Sequence, residues 1–271
     1  MKVIILTGDE IRHQYFRKIL TLHPEIKVLA SYCEGTEKSL ENITFQNQDS
    51  SELERQHVKA RTQSENDFFS FANSFIEDTT EPVKIKKNDI NNDKIVSEIE
   101  SHNPDLLVCY GSSIIKSTLL TTYKDRFLNV HLGLSPYYRG SGTNVWPLIN
   151  WEPYMVGATY MHIDAGIDTG EIIHQIRPDF FVGDNPHTIG NRLIKKMTDV
   201  YCEIICSFRN LTKETQPIAD EGYFYLEKDF DTKACERLYD NFSKGMIEQY
   251  LTNTNEDSFP YIVTNKGLRQ G

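Results

Sequence analysis

Two polar side chains interrupt an apolar strand in the middle of the chain. The segment Phe127–Leu132 has the pattern of a buried strand, and it contains Asn129 and His131 two residues apart. Side chains at positions i and i+2 of a strand project from the same face, about 7 Å apart. A buried amide and imidazole need hydrogen-bond partners from the protein or from a ligand. The pair therefore predicts either a satisfied polar pair at the end of a core strand or a ligand site.

A glycine-rich loop and a separate carboxylate accompany this pair. Residues 133–142 read GLSPYYRGSG, which contains too much glycine and proline for regular structure. Further along, Asp168 lies in a turn bracketed by Gly166 and Gly170, just before an apolar strand. The strand before Asn129 likewise ends in a polar turn, and ligand sites of open α/β sheets cluster at the carboxyl ends of strands.

This combination resembles the 10-formyltetrahydrofolate-dependent formyltransferase family. The family signature is Asn-x-His, then a Pro-aromatic-x-Gly loop, and later Asp-x-Gly before a strand. The likeness covers residues 105–176 well and the N-terminal strands and the long helix more loosely. Many members continue His-x-Ser-Leu-Leu-Pro, whereas this chain has Gly133 and Ser135 in that stretch. The departure leaves the polar pair intact and concerns loop contacts to the acceptor.

The resemblance implies catalytic roles for Asn129, His131 and Asp168. When an amine attacks the formyl carbon, Asn129 and protonated His131 would donate hydrogen bonds to the oxyanion, each worth on the order of 3 kcal/mol. Asp168 would favour the imidazolium and relay the proton from the amine towards the folate nitrogen. No metal is required.

The resemblance also implies a pocket for the co-substrate 10-formyltetrahydrofolate. Its lining would come from two turns of the chain, and the residues concerned are Leu106, Tyr110, Gly111, Ser112, Ser113, Ile163, Ala165 and Gly166. Without the resemblance, Tyr110-Gly111 is more simply an ordinary turn at the end of a strand.

Two further segments are candidates for acceptor binding. Asp9 and Arg12 follow the first strand. They either bind a phosphate or sugar of the acceptor, or they lie at the solvated start of a helix. In the glycine-rich loop, Tyr137, Tyr138, Arg139 and Gly140 either contact a nucleotide base or cover the loop.

Alternating strands and helices must position these residues, and they predict an α/β fold. We expect a Rossmann-like formyltransferase domain over residues 1–211 with a mostly parallel twisted sheet, and a small C-terminal α+β extension over residues 212–271. Residues 34–65 are polar and predict an excursion at the rim of the sheet, with a helix from Ser51 onward. Phe68, Phe69, Phe71 and Phe75 should anchor that helix, and a single helix should span residues 234–251.

Composition excludes several classes of protein. The 271 residues carry a net charge of -10, which is unfavourable for gripping nucleic acid. No apolar run approaches the length of a transmembrane helix, and the N-terminus does not resemble a secretory signal. Five cysteines without a CxxC pair fit a reducing compartment, so a cytoplasmic location is expected.

The expected acceptor is a nucleotide-linked aminodeoxy sugar made for a surface glycan. A methionyl-tRNA enzyme should bring a basic surface and a larger C-terminal domain, whereas this tail is acidic at Glu227, Asp229 and Asp231. Other amines remain alternatives, as does a non-catalytic folate- or nucleotide-binding module. Apolar residues in the tail suggest a small hydrophobic cluster or a homodimer contact.

Overall fold

The computed structural model describes residues 1–37, 39–216, 222–253 and 258–268. Its strands are β1 (Lys2–Gly8), β2 (Lys27–Glu34), β3 (Pro82–Ile85), β4 (Leu106–Tyr110), β5 (Phe127–His131), β6 (Tyr138–Gly140), β7 (Ala158–His162), β8 (Ile172–Ile176) and β9 (Tyr223–Tyr225). Its helices are α1 (Ile11–Leu22), α2 (Leu40–Gln46), α3 (Glu52–Phe75), α4 (Asp93–Ser101), α5 (Ser117–Thr122), α6 (Trp146–Ile149), α7 (Pro186–Ser207), α8 (Thr232–Ser243) and α9 (Met246–Asn253).

Seven of these strands form one sheet in the order β3-β2-β1-β4-β5-β7-β8. Strands β1 to β5 pair in parallel, while β7 runs antiparallel to β5 and β8 antiparallel to β7. This confirms the predicted Rossmann-like α/β fold with a mostly parallel sheet. None of the described helices combines the length and the apolar character needed to cross a membrane.

The strand order creates a crevice at the carboxyl edge of the sheet. From β1 the chain builds outward through β2 and β3, and it then returns to the other side of β1 with β4. Ligands of open α/β sheets bind at such a reversal of strand order. The β4–β5 ladder ends at the pair Cys109 and Asn129, so the residues beyond it are free to line the crevice.

The polar segment after β2 is more ordered and more central than the sequence suggests. Helix α3 begins at the predicted point, where Ser51 and Glu54 form a capping box. The helix then continues unbroken to Phe75, and the short helix α2 before it was not predicted. Only part of the predicted aromatic anchor is correct, because Phe69 is fully buried while Phe71 and Phe75 are 74% and 76% exposed.

The C-terminal extension packs into the main core. The single helix predicted over residues 234–251 is wrong: Gly245, with φ of +75°, ends α8 and separates it from α9. Leu238 on α8 and Met246 and Ile247 on α9 are buried in the core that also contains α1 and α7. Residues 217–221, 254–257 and 269–271 lie outside the described part, and the predicted domain boundary stays a prediction.

The last described segment covers the outer edge of the sheet. The backbone N–H of Gln175 on β8 donates to the carbonyl oxygen of Val263, and the Val263 N–H donates to the Gln175 side-chain oxygen. The Asn265 amide donates to the carbonyl oxygens of Ile173 and Thr212. An exposed edge strand is a site for unwanted pairing, and these bonds occupy it.

Replacing Leu238 by alanine tests the shared core. Leu238→Ala should lower the free energy of unfolding by about 2–5 kcal/mol, because it deletes a fully buried side chain and leaves a cavity. Leu251→Ala, at a position 41% exposed on α9, is the matched control and should change it by less than about 1 kcal/mol. Equal effects in urea denaturation, or a separate unfolding transition for the C-terminal extension, would contradict this packing.

Candidate active site

A cleft of about 630 Å³ opens at the carboxyl ends of β1, β4 and β5. The loops that follow β5 and β7 line part of it, and helices α3 and α7 line another part. Volume and position are those of a small-molecule site rather than a shallow surface groove.

Strand β5 presents both predicted polar residues to this cleft. Asn129 is half-buried, and its side-chain amide makes no hydrogen bond to any residue within the described ranges. His131 is 8% exposed, and its Nε2 lies 3.1 Å from the Tyr138 carbonyl oxygen and 3.0 Å from the Thr143 hydroxyl. Both of those partners are buried, so the Nδ1 edge of the imidazole is the one that faces the cleft.

Asp168 completes the group. Its Oδ2 lies 3.3 Å from His131 Nδ1 and accepts a hydrogen bond of 3.1 Å from the Gly140 backbone N–H. Oxygen atoms therefore lie close to both ring nitrogens of His131, and they fix the orientation of the ring. At 3.3 Å the Nδ1 contact is longer than a charge-assisted hydrogen bond. Nδ1 consequently remains accessible to a reacting group in the cleft.

The turn that carries Asp168 is held from both sides. Asp168 itself adopts the left-handed conformation, with φ of 54°. The Asp164 carboxylate accepts from the Gly166 N–H at 3.0 Å and from the Thr169 hydroxyl at 2.8 Å. Gln216 donates to the carbonyl oxygens of Asp168 and Gly170 at 3.0 and 2.7 Å. These bonds fix the carboxylate before any ligand arrives, as preorganised catalysis needs.

A sequence profile described as formyl transferase matches residues 41–205, more than half of the chain. The chain belongs to the formyl transferase family. This membership agrees with the predicted enzyme class, a folate-dependent formyltransferase. The catalytic roles of Asn129, His131 and Asp168 stay predictions, although the structure brings the three residues together in one cleft.

The names of individual relatives specify different acceptors. A methionyl-tRNA formyltransferase from Thermodesulfovibrio yellowstonii is 33% identical over 131 residues, which are 48% of this chain and 40% of that protein. The chain thus spans less than half the length of this curated relative. A sugar N-formyltransferase from Shewanella sp FDAARGOS_354 superposes with a TM-score of 0.55 at 19% identity, covering 85% of this chain and 78% of its own.

A solved structure named for a different acceptor superposes with the same TM-score. The phosphoribosylglycinamide formyltransferase from Anaplasma phagocytophilum superposes with a TM-score of 0.55 at 14% identity, covering 84% of this chain and 98% of its own. Identities this low show a common fold and do not identify the acceptor.

The turn after β4 fits the folate of this family. Gly111 has φ of +72°, and a Cβ there would collide with the His13 ring beneath it. The Ser113 backbone N–H donates to Glu34 Oε2 at 2.6 Å, and Glu34 also accepts from the Asn88 N–H at 2.8 Å. The Ser113 hydroxyl is buried and has no partner among the described residues, so it is available to a polar edge of the pteridine.

Most of the residues predicted for the folate pocket line the cleft, but two do not. Those that line it are Tyr110, Gly111, Ser112, Ser113, Ile163 and Gly166. Leu106 is fully buried in the core, because it begins β4 and therefore lies at the end of the strand away from the cleft. Ala165 is exposed and is not part of the cleft lining.

The two predicted acceptor residues after β1 line the cleft, yet both are already paired. Asp9 forms an ion pair with Lys84 and lies 3.5 Å from an Arg17 nitrogen. Arg12 pairs with Glu10 and, at 2.9 Å, with Glu65. A phosphate at this position would have to displace these carboxylates.

The tyrosines of the glycine-rich loop do not line the cleft. The Tyr138 ring is fully buried, and its hydroxyl donates to Glu152, so the expected contact of this side chain with a nucleotide base is not supported. The Tyr137 hydroxyl donates to the Tyr261 carbonyl oxygen, and Arg139 is also absent from the lining. Only Gly140 of the four faces the cleft, next to Asp168.

Helices α3, α6 and α7, the turn before α6 and the C-terminal extension supply a further part of the lining that the sequence analysis missed. We call it the helical wall, and it consists of His57, Asn144, Trp146, His187 and Phe230. A signal was present on α3: His57, Arg61 and Glu65 are spaced by four residues, which places them along one side of the helix. Buried polar residues at that spacing indicate a polar partner, and here they face the cleft.

The charges beside this wall neutralise one another. Burial would raise the pKa of Glu65, but the guanidinium groups of Arg12 and Arg61 outweigh it and hold the pKa below the usual value. Glu65 is therefore a carboxylate bound to both cations, at 2.9 Å from Arg12 and 3.0 Å from Arg61. The third cation of the lining, Lys87, lies 3.2 Å from the Glu34 carboxylate.

The two histidines of the helical wall are uncharged at neutral pH. Burial lowers the pKa of His57 to about 3, and the neighbouring His187 and Arg61 act in the same direction. Burial and then Arg61 lower the pKa of His187 to about 4. Among the described residues no three His, Cys, Asp or Glu side chains are grouped to hold a metal ion.

The role of the carboxylate is tested by removing its charge. Asp168→Asn should lower kcat for formyl transfer by roughly 10²-fold or more, because an amide neither stabilises the imidazolium nor accepts a proton. Release of tetrahydrofolate measures the rate, and cooperative thermal unfolding verifies the fold. Asp179→Asn is the control, since that side chain is 65% exposed and pairs with Lys196. A near-normal rate for Asp168→Asn would mean that this residue only shapes the turn.

Burial of a neutral imidazole also makes stability depend on pH. In the unfolded chain His57 takes up a proton below its ordinary pKa of 6.5, whereas in the folded protein it does so only below about 3. The unfolded state therefore binds more protons between these two pH values. The free energy of unfolding should fall as the pH decreases through this range. His57→Gln should make the fall between about pH 7 and pH 5 shallower in urea denaturation. His102→Gln, at the end of α4, is the control, and parallel pH curves for His57→Gln and the wild type would contradict the assignment.

Proposed function

We propose that the protein transfers a formyl group from 10-formyltetrahydrofolate to the amine of a nucleotide-linked aminodeoxy sugar. The supporting observation is the cleft geometry, in which the unpartnered Asn129 amide lies beside His131 and Asp168. A binding module gains nothing from a hydrogen-bond donor and an imidazole–carboxylate pair beside one another, whereas acyl transfer uses both.

Each of the three side chains has a task in this reaction. The acceptor nitrogen attacks the formyl carbon, and the carbonyl oxygen becomes an oxyanion that accepts hydrogen bonds from the Asn129 amide and from His131 Nδ1–H. The attacking amine loses a proton to Asp168, whose Oδ2 lies next to His131. The bond between the formyl carbon and the folate nitrogen then breaks, the oxyanion returns to a carbonyl, and Asp168 passes that proton to the leaving folate nitrogen.

Charge favours a small acceptor over a transfer RNA. The chain carries a net charge of -10, and the three cationic side chains in the described cleft lining all have carboxylate partners. Binding of a nucleic acid depends on cations that are free to contact phosphates. Methionyl-tRNA is the second candidate, because the curated relative from Thermodesulfovibrio yellowstonii is named for it.

A panel of acceptors separates these functions. The purified protein, given 10-formyltetrahydrofolate, should release tetrahydrofolate with at least one nucleotide-linked aminodeoxy sugar, and the product should gain the mass of one formyl group. Methionyl-tRNA and glycinamide ribonucleotide are tested in parallel, with His131→Ala as the inactive control. Turnover with methionyl-tRNA and with no sugar would reverse the ranking.

A further inference from the structure

The helical wall carries hydrogen-bonding groups that the reaction itself does not use. His57 is 3% exposed and lines the cleft, and its Nδ1 is 3.0 Å from the Tyr239 hydroxyl. That hydroxyl also lies 3.3 Å from His187 Nε2, so one phenol orients both imidazoles. His57 Nε2 has no partner in the described part of the chain. A ring nitrogen of a buried side chain that faces a cleft without a protein partner is available to a ligand, which can supply the hydrogen bond.

Two neighbouring groups have the same property. The Asn144 amide and the Trp146 indole N–H both belong to residues lining the cleft, and neither bonds to a residue that the structure describes. Trp146 is held rigidly, because its ring stacks on Tyr225 with a centroid separation of 3.8 Å and an interplanar angle of 3°. The wall thus combines uncharged donors and acceptors, and contacts with Tyr225 and Tyr239 hold the indole and the imidazoles in place.

The wall also has an apolar component. The Phe230 ring lies 5.1 Å from the His57 ring and 6.4 Å from the Trp146 ring, measured between centroids. A surface that alternates aromatic edges with uncharged polar groups matches a sugar ring, which has apolar C–H faces and peripheral hydroxyls. It does not match a phosphate, because the neighbouring cations Arg12 and Arg61 are bound to Glu65.

We propose that His57, Asn144 and Trp146 form the subsite that recognises the hydroxyl-bearing ring of the acceptor sugar. The nucleotide phosphates of the acceptor lie outside this subsite. This inference rests on the proposed function, and it assigns the C-terminal extension a part in acceptor binding through Phe230. The low pKa values of His57 and His187 agree with it, since Nε2 of a neutral His57 either donates to a hydroxyl or accepts from one, depending on the tautomer.

The experiment separates acceptor binding from folate binding. Once the wild type turns over a nucleotide-linked aminodeoxy sugar, Asn144→Ala and His57→Ala should each raise the KM for that sugar roughly tenfold or more, the effect of about one lost hydrogen bond. The KM for 10-formyltetrahydrofolate should not change. His57→Gln should restore part of the loss, because an amide again offers an uncharged partner, and His102→Ala should behave as the wild type.

The outcomes are distinguishable. An unchanged acceptor KM in both alanine variants, with normal wild-type turnover, would overturn the subsite and leave the proposed function standing. No wild-type turnover with any sugar would instead overturn the proposed function. Asn144→Ala guards against misfolding, because this half-buried side chain makes no hydrogen bond to the described protein and its removal costs little stability. A KM raised equally for both substrates would indicate a distorted cleft and would also overturn the subsite.

Discussion

The site depends on the contact between the His131 imidazole and the Asp168 carboxylate. The two residues come from different parts of the chain, one from the end of a buried strand and one from a turn between two antiparallel strands. The Gly140 N–H holds the carboxylate in place beside the ring. The Tyr138 carbonyl oxygen on the other ring nitrogen fixes the orientation of the imidazole. Strand β5 and the turn between β7 and β8 hold these two groups 3.3 Å apart.

The sequence was most informative where local patterns determine the outcome. The apolar strands and the start of α3 at its Ser51 capping box were predictable, because caps and periodicity act within a few residues. The Asn129–His131 pair was visible for the same reason, since residues two apart on a strand share a face. The distant Asp168 became visible only through resemblance to a family.

The parts that could not be predicted depend on long-range packing. Tyr138 looked accessible in a glycine-rich loop, but it is fully buried in the core, where the rings of Tyr223 and Tyr225 lie next to it. Phe71 and Phe75 looked like core residues, yet α3 presents a different side to its neighbours and leaves both exposed. His57 gave only a weak signal, because its partner Tyr239 lies far along the chain. Burial of this kind follows from tertiary contacts and cannot be deduced from composition.

A short parallel pairing between β6 and β9 couples the two halves of the cleft. Gly140 on β6 donates its backbone N–H to Asp168, and it pairs with Tyr225 on β9 so closely that a Cβ would collide with the Tyr225 carbonyl oxygen. The Tyr225 ring in turn stacks on Trp146 of the helical wall. One backbone pairing therefore contacts both the Asp168 carboxylate and the helical wall. Since β9 belongs to the C-terminal extension, the packing of this extension fixes the spacing between the two sides of the cleft.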